Sequence, residues 1–124
     1  MAIEQIKLSQ TGKDQLLRLK RRTGIKNWNA LCRWGLCRSL AEPTMPSPVP
    51  IPADSSVEMT WKTFGSHSAA YMAVLRARCH KDGVELTDEG INQQFRLHPH
   101  RGIAYLAGDK KLQSIEDLAQ VALL

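Results

Sequence analysis

The chain has few aromatic residues (6% of the total), only three cysteines, and no long apolar run. A membrane span needs roughly 20 predominantly apolar residues, and the opening MAIEQIKLSQ lacks the apolar core of a signal peptide. The protein is therefore expected to be soluble and cytoplasmic. Cys32, Cys37 and Cys79 form an odd set with no CxxC pair. On one helix Cys32 and Cys37 point well apart, so they can neither bridge nor clamp a metal together. All three are expected to be buried, reduced thiols. A Gly-rich phosphate loop, a nucleophile elbow and a Rossmann fingerprint are also missing. An independent enzyme is not expected, and neither a cofactor nor a metal is implied.

What the chain does have is positive charge gathered in one place. Residues 1–42 hold nine Lys and Arg against three acids, a net of +6, whereas residues 43–124 hold eight against nine, a net of −1. The first third therefore carries the whole excess of +5. Such asymmetry points to a polyanion partner, of which nucleic acid is the commonest.

At 124 residues the chain is expected to be a single domain of the mainly α class, compact and helical with one or two short strands. It divides into a basic helical hairpin (1–42), a Pro-rich connector (43–56) and a helical remainder (57–124). Ile3–Leu8 reads as a short strand. A helix then begins near Gly12, capped by Ser9 or Thr11, with Leu16, Leu19 and Thr23 as its apolar stripe and Gly24 as its stop. Asn27 caps a second helix that runs to Leu40 or Ala41. Residues 43–52 hold five of the six prolines and read as an extended spacer. Val57–Phe64 alternates like a strand. Ser66 or Ser68 caps a helix to His80, and Thr87 caps another that halts before Pro99. A short helix follows over Arg101–Ala107, and Ser114 opens the last one in a capping box with Asp117.

The second helix is apolar on nearly every side, so it must be buried on more than one face. We read it as an oligomer interface, with Gly24, Trp28, Leu31, Trp34, Gly35 and Cys37 at the contact. Lys13, Arg18, Lys20, Arg21, Arg22, Lys26 and Arg33 are the candidate contacts to DNA phosphates. The order strand, basic helix, turn and capped helix is also that of a ribbon-helix-helix transcriptional regulator. On that alternative, Gln5 and Lys7 read bases while Asn27 and Trp28 sit at a phosphate. His98 and His100 form an H-x-H pair, but no further ligands stand at metal-site spacing, and both are expected to play ordinary structural roles.

Taken together, four stretches resemble the DndE family, the small E component of bacterial DNA phosphorothioation. They are LSQTGKDQLLRLKRRTGIKNWNALCRWGLCRSL, the proline connector, the W-K-T-F-G run at Trp61–Gly65, and the H-x-H-R-G-I-A-Y-L run at His98–Leu106. The resemblance spans essentially the whole chain and rests on the order and spacing of these pieces. It implies a non-catalytic homotetramer that binds nicked double-stranded DNA. It also implies companion proteins that supply sulfur transfer and ATP hydrolysis. No catalytic residues come with it.

Overall fold

The structure is a computed structural model and describes residues 5–60, 64–65 and 67–123. The chain runs β1 (Gln5–Lys7), α1 (Gln10–Thr23), α2 (Trp28–Ala41), β2 (Glu58–Thr60), α3 (Ser68–Lys81), α4 (Asp88–Gly108) and α5 (Ile115–Leu123). Ser9 lies in extended conformation, and its hydroxyl accepts from the Gly12 N–H at 2.9 Å. That cap starts α1 at Gln10, so Asp14 falls beyond the first turn. Leu16, Leu19 and Thr23 are buried, and Gly24 ends the helix at φ 76°, where a side chain would be strained.

α4 departs most from expectation. Two helices parted at Pro99 were expected, but one helix of 21 residues runs straight through it. A proline in a helix interior costs about 3 kcal/mol through the lost N–H bond and the ring clash. Burial on several sides offsets this, because Phe95, Leu97, Pro99, Ile103 and Leu106 are all inaccessible to solvent. α4 is the axis of the fold and packs most heavily on α2, then on α1 and α3. α2 runs antiparallel to it: Gly35 meets Gly102, and Ser39 Oγ shares a 2.8 Å hydrogen bond with His98 Nδ1. α1 runs parallel to it, with Ser9 and Gly12 beside His100 and Arg22 beside Ala107. The turn between α1 and α2 thus lies at the C-terminal end of α4.

β1 and β2 pair antiparallel in the register Gln5↔Thr60, Ile6↔Met59, Lys7↔Glu58. This corrects the ribbon-helix-helix reading of the N-terminal portion, since that architecture needs β1 to pair with the same strand of a second subunit. The part of the expected second strand over 61–63 lies outside the described residues, and Phe64 is buried beyond it. The proposed cap Ser66 is also outside them; α3 starts at Ser68, after His67.

The proline stretch has no regular secondary structure, with the Val49 N–H turned back to Ser47 O at 2.8 Å, and it does not hold the hairpin apart from the rest. Arg78 donates to the carbonyls of Leu40 (2.9 Å), Glu42 (2.7 Å) and Thr44 (2.7 Å), and Arg96 donates to Ile51 O (2.8 Å). Arg101 binds Ser39 O and Thr44 O, each at 2.9 Å. Pro46 is buried, and Asp54 accepts from the Gln10 N–H at 2.7 Å. A segment so poor in N–H donors leaves its carbonyls to be satisfied from elsewhere, and guanidinium groups do it here. At the far end the forward arm of the capping box forms, with the Asp117 N–H donating to Ser114 Oγ at 3.2 Å. The Asp117 carboxylate reaches one residue further back and accepts from the Gln113 N–H at 2.8 Å. Among the described residues no helix is long and apolar enough to cross a membrane.

Candidate nucleic-acid interface

The fold sorts the cations of residues 1–42 into those tied to the protein and those facing solvent. Arg18, Arg21 and Lys26 are exposed. Arg18 and Arg21 stand three residues apart on the side of α1 opposite Leu16 and Leu19, and Lys26 lies in the turn that follows. Lys13 and Lys20 flank them, half-buried. The Lys13 ammonium donates to Ser56 Oγ at 2.9 Å, and that of Lys20 lies 5.0 Å above the Trp28 ring.

Two of the expected phosphate contacts have other work. Arg22 donates to Ala107 O at 2.9 Å and caps the C-terminal end of α4, whose own last turn has no base. Arg33 donates to Phe64 O at 3.0 Å. Both are half-buried. Of the remaining bases, Lys7 sits across from Glu58, and Arg38 lies 5.0 Å above the Tyr105 ring, with Arg101 at 5.8 Å.

α2 is buried on one side only. Leu31 and Gly35 lie inside the chain's own core, Leu31 at 1% exposure and Gly35 against Ile103, so neither is available to a second subunit. This corrects their place in the expected interface. The outward side is half-covered: Trp34 packs at the edge of the core, Cys37 is exposed, and the two share a shallow hollow with Ala30, Arg33 and Tyr71. Trp28 is half-buried under Lys20, and Gly24 is exposed. Asn27 stands at the cap position just before α2, but its side chain makes no capping bond.

A family model for the DNA sulphur modification protein DndE matches residues 5–114. The chain belongs to the DndE family. Its fold matches the crystal structure of DndE from Escherichia coli B7A, involved in DNA phosphorothioation modification, with a TM-score of 0.71 and 27% identity over 86% of this chain and 98% of that one. A crystal structure of a glycine-to-lysine mutant of DndE matches with a TM-score of 0.64 and 25% identity, over 83% and 95%. The comparison with curated proteins gives no match.

Of the four histidines of this DndE-family chain, His98 and His100 serve its packing. His100 accepts from the Ser9 N–H through Nε2 at 3.2 Å, and its Nδ1–H donates to Arg96 O at 2.7 Å, an arrangement that requires the neutral ring. Burial pushes its pKa down. His98 is fully buried. Burial first, then Arg101 and Arg78, pull its pKa down to about 4, against a smaller opposing effect of Asp82. Among the described residues no three His, Cys, Asp or Glu side chains come together as a metal site. Cys32 and Cys79 are buried as expected, whereas Cys37 is exposed. Burial lifts the Cys32 thiol to about 12 and raises the other two as well, so none is primed as a thiolate.

His98 carries a pH prediction. A histidine whose pKa is lowered by folding holds its full stabilising effect above its unfolded value near 6.5 and loses it as pH falls towards 4. Stability to urea is expected to drop by about 2 to 3 kcal/mol between pH 7 and pH 4.5 from this residue, with His100 acting in the same direction. An NMR titration that found the His98 ring protonating above pH 6 would contradict this.

Proposed function

We propose that the protein is a non-catalytic, cytoplasmic DNA-binding member of the phosphorothioation machinery. It grips duplex DNA through backbone phosphates, prefers a nick, and works as a homotetramer beside the proteins that transfer sulfur and hydrolyse ATP. The observation that carries the DNA-binding part is the exposed cluster of Arg18, Arg21 and Lys26 around the α1–α2 turn, supported on its flank by Lys13 and Lys20. Phosphate contacts of this kind are largely indifferent to base sequence and weaken steeply with salt. The outward side of α2, with Trp34 and Cys37, is the surface we assign to subunit contact. Several subunits would present several basic clusters at once, which tightens weak individual contacts.

Charge reversal of Arg18 and Arg21 tests the reading. Arg22 is left intact, because reversing it would uncap α4. The R18E/R21E variant is expected to bind duplex DNA at least about tenfold more weakly at low salt. Its slope of log affinity against log salt should be shallower by about one unit for each phosphate it no longer neutralises. Its sedimentation mass should remain that of the parent. Unchanged affinity would remove the DNA reading. Equal affinity of the parent for nicked and intact duplex would remove the nick preference, and a monomeric mass would remove the tetramer.

A further inference from the structure

We infer that the DNA-facing surface is composite, with Lys110 and Lys111 from the turn between α4 and α5 joining Arg18, Arg21 and Lys26 in one phosphate-binding pole. This rests on the DNA-binding reading above and extends it to residues about 90 positions away in sequence, within a segment whose net charge is negative.

The helix directions bring the two segments together. α1 runs parallel to α4 and α2 antiparallel, so the last turn of α1, the 24–27 turn and the start of α2 all lie where α4 ends. The Arg22 guanidinium, 2.9 Å from Ala107 O, pins the last turn of α1 to the last turn of α4. Lys110 and Lys111 follow Ala107 by three and four residues, and both are exposed. α5, which receives the chain after them, packs on α1 as well.

The turn holding the two lysines has a defined shape. Asp109 accepts from the Lys111 N–H at 3.0 Å, and Lys110 O accepts from Gln113 Nε2 at 2.9 Å. Asp117 is turned to the Gln113 N–H, so two of the three nearby acids bond backbone within the turn; Glu116, exposed on the first turn of α5, is the third. The ends of α1 and α4 are helix C-termini, which favour cations. That effect accounts for bases inside a last turn, such as Lys20 and Arg21, and fades beyond it, where Lys110 and Lys111 stand.

The opposite end of the molecule supplies a control. There Arg78 near the end of α3 clamps the end of α2, and the exposed Arg76 and Lys81 flank it on α3. The K110E/K111E and R76E/K81E variants change net charge equally. Each is compared with R18E/R21E for binding to the same duplex across a salt series, after circular dichroism has confirmed the parental fold. The inference expects K110E/K111E to weaken binding at least about fivefold and to flatten the salt slope, while R76E/K81E binds like the parent. Equal weakening by both would overturn it, because only total charge would then matter. It is also overturned if K110E/K111E binds normally while R18E/R21E does not, an outcome that leaves the DNA reading intact. If all three variants bind like the parent, the DNA reading itself falls and this inference falls with it.

Discussion

Replacing Gly102 by alanine is expected to cost at least about 3 kcal/mol, enough to lower the midpoint of thermal unfolding by at least about 10 °C in a domain of this size. Alanine is the better helix former by about 1 kcal/mol, so intrinsic propensity alone predicts the opposite sign. The reason lies across the helix pair. A Cβ on Gly102 would run into the carbonyl of Gly35 on α2, a backbone group fixed in a helix that cannot rotate away. Gly35 is less demanding, since its added Cβ would first meet the Ile103 side chain at 2.7 Å and Pro99 O at 3.1 Å. Gly108 serves as control in the same helix: nothing lies within 4 Å of a Cβ there, and its alanine variant should be neutral or slightly more stable. Unfolding all three variants in urea checks the order, and a Gly102→Ala variant as stable as the parent would mean that α2 and α4 do not cross backbone to backbone.

Arg78→Met is expected to be about as damaging, at about 3 to 5 kcal/mol. Arg78 is 7% exposed, and its Nε lies 2.9 Å from Asp82 Oδ2, itself nearly buried. The same guanidinium holds three carbonyls at the end of α2 and the start of the proline stretch. Methionine fills the volume but leaves a carboxylate unpaired and takes from Leu40 O and Glu42 O the bonds they have here. Lysine should not restore stability, because one ammonium cannot reproduce a planar fork that reaches four acceptors. Beside the loss in urea, limited proteolysis should cut within residues 40–56 in the variant and spare the parent. Full stability in the lysine variant would show that charge alone suffices.

What could be read from the sequence was local. The hydroxyl of Ser9, the φ of Gly24 and the Ser114–Asp117 box act within a turn, and each delimits its helix as expected. Pro99 misled because a local rule, that proline ends a helix, lost to burial contributed by three other helices. The candidate phosphate contacts were legible as a set but not one by one. Arg22 finds its acceptor 85 residues away and Arg33 finds its own 31 away, so nothing in their neighbourhood separates them from Arg18 and Arg21. The all-round apolar character of α2 was visible too, but which side faces the chain's own core depends on where α4 lies. That is why Leu31 and Gly35 were assigned outward. The roles of Arg78, Arg96 and Arg101 left one usable trace: a run of prolines has carbonyls without matching donors, and some side chain must supply them.

That trace has a consequence for measurement. Residues 43–52 own only five amide hydrogens, because every second position or so is proline. Amide hydrogen exchange, the usual gauge of local opening, is therefore almost blind to this part of the molecule. The informative protons sit on side chains instead, on Nη2 of Arg78 and Nη1 of Arg101, whose bonds to Thr44 O last only while the stretch is in place. Detachment of the stretch would pass unseen in an amide experiment and stand out in a guanidinium one.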